Sequence, residues 1–170
     1  MNVFLTGVIN CGKSTTIDAF MYEYKGKMVG YKTIRYKTHL DDYHGIYLLD
    51  ISYPHQKLSI DTKVGDCNKD QTLVCYKDVF EKLGEKALSN YKDADIVIMD
   101  ELGTLENECY NFQKKVYECL DSDIDVLGVI KQRKSPFLDK IRNRKDVHIY
   151  NASMIDNRII LEELKDIFCK

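Results

Sequence analysis

Gly7-Val8-Ile9-Asn10-Cys11-Gly12-Lys13-Ser14-Thr15 is the stretch whose reading decides the fold. The short apolar run Val3-Phe4-Leu5 precedes it, and an amphipathic segment with Ile17, Phe20, Met21 and Tyr24 follows. The pattern G-x-x-x-x-G-K-[ST] between a strand and a helix is that of a phosphate-binding loop. At ordinary glycine and lysine frequencies, chance supplies it in under about one in a hundred chains of this length.

The chemistry of such a loop is local. Gly7 and Gly12 permit backbone angles that a Cβ forbids, so the chain can wrap closely around a phosphate. Successive N–H groups then face inward, backed by the free amides and positive dipole end of the following helix. Lys13 is expected to place a charge on the terminal phosphates, and Ser14 to offer its hydroxyl to Mg²⁺, which prefers oxygen ligands. The stretch therefore predicts binding of a nucleoside triphosphate such as ATP or GTP, without naming the base.

Outward from the loop, the 170 residues suffice for one domain with a proper core. Twenty-five Lys and Arg against 27 Asp and Glu leave a net charge of −2, which argues against a generally polyanion-seeking surface. No apolar run reaches the ~18 residues of a membrane span, so no membrane partner is expected. Asn2 already opens the first apolar run; no removable leader is expected, and the expected compartment is the cytoplasm. Cysteines 11, 67, 75, 109, 119 and 169 include no C-x-x-C pair and are expected to remain thiols. Cys11, at a helix N-terminus beside Lys13, is either a thiol of lowered pKa or simply the occupant of a variable loop position. His39, His44, His55 and His148 show no ligand spacing.

The remaining pattern reads as alternating strands and helices. Residues 27–34 have strand character. Residues 45–51 and 57–60 read as a hairpin across the Pro54 turn, and 62–75 as polar loop. Val79, Phe80, Leu83, Ala87 and Leu88 share one helical face, as do Phe112, Val116, Cys119 and Leu120. The continuous apolar run Ile96-Val97-Ile98-Met99 suits a strand buried on both faces. Residues 125–130 and 147–150 read as further strands. Ser135-Pro136 opens a short helix, and Asp156 caps the last one, which carries Ile160, Leu164, Ile167 and Phe168. The alternation predicts an α/β P-loop fold: a mostly parallel, three-layer α/β/α sheet, RecA-like or kinase-like, with an added antiparallel hairpin.

The second half of the site is expected where the buried strand ends in Asp100-Glu101. A carboxylate there, on the strand next to the loop, reaches the metal shell. Asp100 is assigned to Mg²⁺ and Glu101 to polarising a water for attack on the γ-phosphate. Asp100-Glu101-Leu102-Gly103 also matches the D-x-x-G of GTP switches, but no N-K-x-D reader follows it. Lys131 and Arg133 leave the end of a strand on the ligand-binding side of an open sheet and are candidates for phosphate or base, with Arg158 a parallel candidate. They belong to a basic stretch, 131–145, that otherwise reads as a solvated helix and loop; without interleaved aromatics a nucleic-acid patch is the weaker reading.

These residues together resemble the THEP-type nucleoside-triphosphatases nearly end to end. That family has an N-terminal P-loop and then a Gly-aromatic-x-Thr stretch, matched by Gly30-Tyr31-Lys32-Thr33. Its Asp-Glu-Ile-Gly-x-Met-Glu signature resembles Asp100-Glu101-Leu102-Gly103-Thr104-Leu105-Glu106, followed by a helical Phe at Phe112 and an Asn-Arg pair at Asn157-Arg158. The family's loop usually has a middle glycine where Asn10 or Cys11 stands here, and a His where Lys131 stands. The resemblance implies Mg²⁺-dependent hydrolysis of nucleoside triphosphates, slow and tolerant of the base. Two rivals are a small-molecule or nucleotide kinase, with 35–45 and 131–145 as its lid, and a nucleic-acid-associated nucleotide-binding module. Oligomeric state is not legible in the sequence.

Overall fold

In the computed structural model, which describes residues 1–37, 44–68, 70 and 72–169, the apolar runs become strands and the 3.6-period stretches become helices. β1 (Asn2–Thr6) feeds the loop, and α1 (Lys13–Glu23) leaves it. β2 (Met28–Lys37), β3 (His44–Asp50), β4 (Lys63–Cys67) and β5 (Leu73–Cys75) come next, then α2 (Lys77–Leu88). β6 (Ile96–Leu102), α3 (Tyr110–Leu120), β7 (Asp125–Ile130), α4 (Pro136–Arg142), β8 (Val147–Asn151) and α5 (Asn157–Phe168) complete the chain.

Among the described residues the sheet runs β5-β4-β3-β2-β6-β7-β1-β8. The five strands from β2 to β8 in that order are parallel, and β3, β4 and β5 extend the β2 edge antiparallel. Side chains of one strand alternate between two cores, as a period of two requires. Val3 and Leu5 of β1 and Ile96 and Ile98 of β6 meet Ile17 and Phe20 of α1 and Ile160 and Leu164 of α5. Phe4, Val97 and Met99 face the other way, toward Phe80 of α2, Phe112 and Val116 of α3 and Ile141 of α4. Helices thus cover both faces, which is why the central parallel strands β1, β6 and β7 are mostly apolar. Gly30 lets β2 lie close against β6: a Cβ there would sit 1.9 Å from the Ile98 carbonyl oxygen.

The caps fall where the sequence put them. Ser135 Oγ accepts from the Leu138 amide at 3.2 Å, with Pro136 at the first helical position, and the Asp156 carboxylate accepts from the Arg158 amide at 2.8 Å.

Three expectations are corrected. The hairpin is not 45–51 with 57–60: β3 pairs with β2 on one side and β4 on the other. Residues 60–62 form a 3₁₀ turn instead, entered through Ser59, whose amide donates to Thr62 Oγ1 at 3.0 Å. Residues 62–75 are not all loop, since they hold β4 and β5. β4 escaped notice because an edge extension turns only part of its length to the core, here Val64, Gly65 and Cys67. Finally, the strand carrying Asp100 is not next to β1. β7, buried over five of its six residues, stands between them. Of the stretch 35–45 read as a lid, residues 38–43, with His39, lie outside the described residues.

Candidate active site

The loop between β1 and α1 owes its shape to three left-handed backbone positions: Gly7 at φ 142°, Asn10 at φ 62° and Gly12 at φ 91°. Asparagine is among the few side chains that tolerate this region, so Asn10 stands in for a middle glycine. Two contacts from the far end of the chain hold the loop from outside. Ser153 Oγ accepts from the Val8 amide at 2.8 Å, and Asn157 Nδ2 donates to the Cys11 carbonyl at 2.8 Å. Lys13 is buried and folded over the loop, its ammonium donating to the carbonyls of Val8 at 2.6 Å and Gly7 at 3.2 Å and reaching Cys11 Sγ at 3.5 Å.

Residues 86 apart in sequence meet at the mouth of this loop: Ser14 Oγ donates to Asp100 Oδ1 at 2.9 Å. Asp100 is 2% exposed, and its Oδ2 has no hydrogen-bond partner, with Lys32 Nζ 4.0 Å away. Burial pushes its carboxyl up to about 6, against the Lys32 charge and the Ser14 hydrogen bond, which favour the ionised form. A buried carboxylate oxygen left unpaired beside a serine hydroxyl suits a hard cation that takes oxygen ligands and fills the rest of its shell with water and phosphate. Mg²⁺ is an ion of this kind, and the donors that would suit it here are Ser14 Oγ and Asp100 Oδ2.

Thr33 braces the acids. Its hydroxyl accepts from the Glu101 amide at 3.2 Å and donates to the Asp100 carbonyl at 3.4 Å. The Glu101 carboxylate is paired with Lys131 Nζ at 2.5 Å. Lys131 and Arg133 are presented by the turn after β7, and Arg142 of α4 holds that turn by donating to the Lys131 carbonyl and, at 2.9 Å, to the Arg133 carbonyl. Glu106, 2% exposed, accepts from the Gly103 amide at 2.5 Å and so ties off the turn that follows the acids. Burial pushes its carboxyl up to about 7.

A cavity of about 530 Å³ joins these groups. Gly7, Val8, Ile9, Asn10, Gly12, Lys13, Ser14 and Thr15 line it, together with Asp100, Glu101, Lys131 and Arg133. Cys11 lies among the loop residues with its thiol on Lys13, and Arg158 is exposed on α5 outside the lining. Sequence reasoning missed Ser153 and Arg142, for which no local signal exists. Thr33, Glu106 and Asn157 stand within the motifs that resemble the family, but the motifs do not signal the contacts these side chains make. The rest of the basic stretch is largely neutralised locally: Arg144 pairs with Asp121 and Asp146, Arg142 with Asp139, and Lys140 sits 4.3 Å from the centre of the Tyr117 ring. No helix among the described residues is long and apolar enough to cross a membrane.

Comparison with known proteins bears on the fold and the family. A family model described as NTPase matches residues 2–164. The nucleoside-triphosphatase THEP1 of Thermotoga sp. (strain RQ2) is 29% identical over 179 residues, covering 96% of this chain and 93% of the relative. The protein of the same name from Methanocaldococcus jannaschii is 26% identical over 168 residues, covering 96% and 95%. Among solved structures, THEP1 from Aquifex aeolicus superposes with a TM-score of 0.80 at 18% identity, covering 100% of each chain. A human cancer-related nucleoside triphosphatase does so at 0.69 and 22% identity, covering 98% and 96%. These two carry the fold, and the family match carries the assignment: the chain belongs to the NTPase family.

Proposed function

We propose that the chain is a cytoplasmic, Mg²⁺-dependent nucleoside-triphosphatase that converts ATP, GTP and other nucleoside triphosphates to the diphosphate and phosphate, slowly and with little regard for the base. The observation that carries this reading is the 2.9 Å hydrogen bond between Ser14 and Asp100, which brings the anion-binding loop and the acid pair to one point. The names of its relatives, nucleoside-triphosphatases over nearly their whole length, support it.

The loop amides grip the phosphates, and Lys13 exchanges its carbonyl partners for the terminal phosphate oxygens. Ser14 and Asp100 would hold Mg²⁺, which would supply charge neutralisation to the triphosphate. Glu101 takes the proton of a water whose oxygen bonds to the γ-phosphorus as the bond to the β–γ bridging oxygen breaks. Lys131 holds Glu101 before the substrate arrives; the γ-phosphate offers the same ammonium a second anion and frees the carboxylate to act.

Phosphate release from ATP, GTP and CTP tests the assignment. Glu101→Gln is expected to bind nucleotide normally and to turn over roughly 10²–10⁴-fold more slowly, the range for loss of a general base. Full turnover by that variant refutes the role. Asp100→Ala is expected to lose its response to Mg²⁺.

A further inference from the structure

The cavity does not stop at the acids. Past Asp100 and Glu101 it continues along Thr33 and Arg35 of β2 to a wall formed by Ile46 of β3, Leu73 of β5, Phe80 of α2 and Leu105. The strand order β1, β7, β6, β2, β3 puts this wall on the opposite side of the acids from the loop. A triphosphate in such a loop has its α- and β-phosphates in the amides and its γ-phosphate toward the lysine and the metal ligands. The apolar wall therefore stands beyond the γ end, where whatever accepts the phosphoryl group must approach. One water takes a share of about 30 Å³ and needs two to four polar partners, and four hydrophobic side chains supply none.

The far half also carries a cation, Arg35. No carboxylate pairs with Arg35 among the described residues, where its guanidinium reaches Cys67 Sγ at 3.8 Å, whereas Lys131, Arg142 and Arg144 each have a carboxylate partner. Arg35 lies directly across the β2–β3 ladder from Ile46, so the charge and part of the apolar wall share one face.

We propose that this far half is an acceptor site, in which a small organic anion with an apolar body and a hydroxyl group takes the γ-phosphoryl group in place of water. The apolar body lies on Ile46, Leu73, Phe80 and Leu105, the anion on Arg35, and the hydroxyl points at Glu101. The acceptor oxygen bonds to the γ-phosphorus as the bond from phosphorus to the β–γ bridging oxygen breaks. The hydroxyl proton passes to the Glu101 carboxylate, and the bridging oxygen leaves on the nucleoside diphosphate. The inference rests on the triphosphate placement argued above, but not on water being the acceptor.

The test compares diphosphate formed with phosphate released by the full chain and MgATP. The probes are 4-hydroxyphenylacetate and 3-hydroxybenzoate, with tyramine as the cationic counterpart. Without a probe the two products should be equal, and no phosphate at all sinks the hydrolase reading alone. With the hydroxy acids, diphosphate should exceed phosphate severalfold, and a phosphorylated probe should be visible by mass. Arg35→Met should cut that excess roughly tenfold or more, the loss expected for a hydrogen bond to a charged group. Leu73→Glu, which sets a negative charge on the wall, should cut it as well. Equal products with both hydroxy acids, an equal excess with tyramine, or an excess untouched by either variant overturns the proposal.

Discussion

Glu106 is an acid buried to 2% exposure that takes no part in the chemistry assigned to Asp100 and Glu101. Its carboxyl ordinarily titrates at 4.5 and in the fold at about 7. Between those values the folded protein holds a proton that the unfolded chain has released, so stability falls as pH rises through the window. The loss is on the order of 3 kcal/mol. Asp100, raised from 3.8 to about 6, acts in the same direction over its own range. Glu106→Gln keeps an acceptor for the Gly103 amide while removing the titration, so urea unfolding at pH 4.5, 6 and 7.5 should show a flatter profile than the parent. Equal slopes would contradict the role given to burial. At this scale the sequence was legible where a motif names its own chemistry, as at Lys13, Ser14, Asp100 and Glu101. It was silent where a contact spans the chain: Ser153 reaches the loop across 145 residues and Asn157 across 146. Asn157-Arg158 drew attention to its charged member, yet the amide touches the loop while the guanidinium is solvent-facing.

Elements set which side chains reach the cavity. The turn after β7 presents Lys131 and Arg133, and α4 fixes that turn through Arg142, whose guanidinium bonds two of its carbonyls. Arg142→Met should leave the protein folded and, on the proposed placement of the triphosphate, lower kcat/KM about tenfold, because a small misplacement of a cation lining the site is felt strongly in rate. Unchanged kinetics would mean the turn is rigid without the clamp. Shortening the cap is a separate matter: Ser135→Ala removes the acceptor of the Leu138 amide and should cost about 1 kcal/mol in urea unfolding, with an unaltered midpoint counting against the cap. Both caps of this region were legible because Ser-Pro and Asp before an apolar period name a helix start. β4 and β5 were not, since an edge strand with one covered face needs few apolar residues and carries a weak pattern. The position of β7 between β1 and β6 was also beyond the sequence, because three apolar strands of similar length fit the centre of a sheet equally well.

The whole molecule joins its core to its site through aromatic packing. The Phe112 ring lies edge-on to Tyr31 at 5.5 Å and to Phe80 at 5.0 Å between centroids, and Phe80 also floors the far half of the cavity. Phe112→Ala should therefore cost about 3–5 kcal/mol in urea unfolding. It should disturb the acceptor half of the cavity more than the loop, whose own packing runs through the opposite core of Ile17, Phe20 and Ile160. A cost below 1 kcal/mol would contradict the packing described. The alternation of elements and the two-faced burial were readable from apolar period alone, because the central parallel strands β1, β6 and β7 are covered on both sides. The account as a whole depends on Lys13, Ser14 and Asp100 sharing one metal-bound polyphosphate. A crystal structure with a non-hydrolysable nucleoside triphosphate and Mg²⁺ tests this most directly. The prediction is a metal on Ser14 Oγ and on Asp100, directly or through one water, with Lys13 Nζ against the terminal phosphates. A triphosphate bound outside the Gly7–Thr15 amides, or a metal with Asp100 turned away from it, would contradict the account.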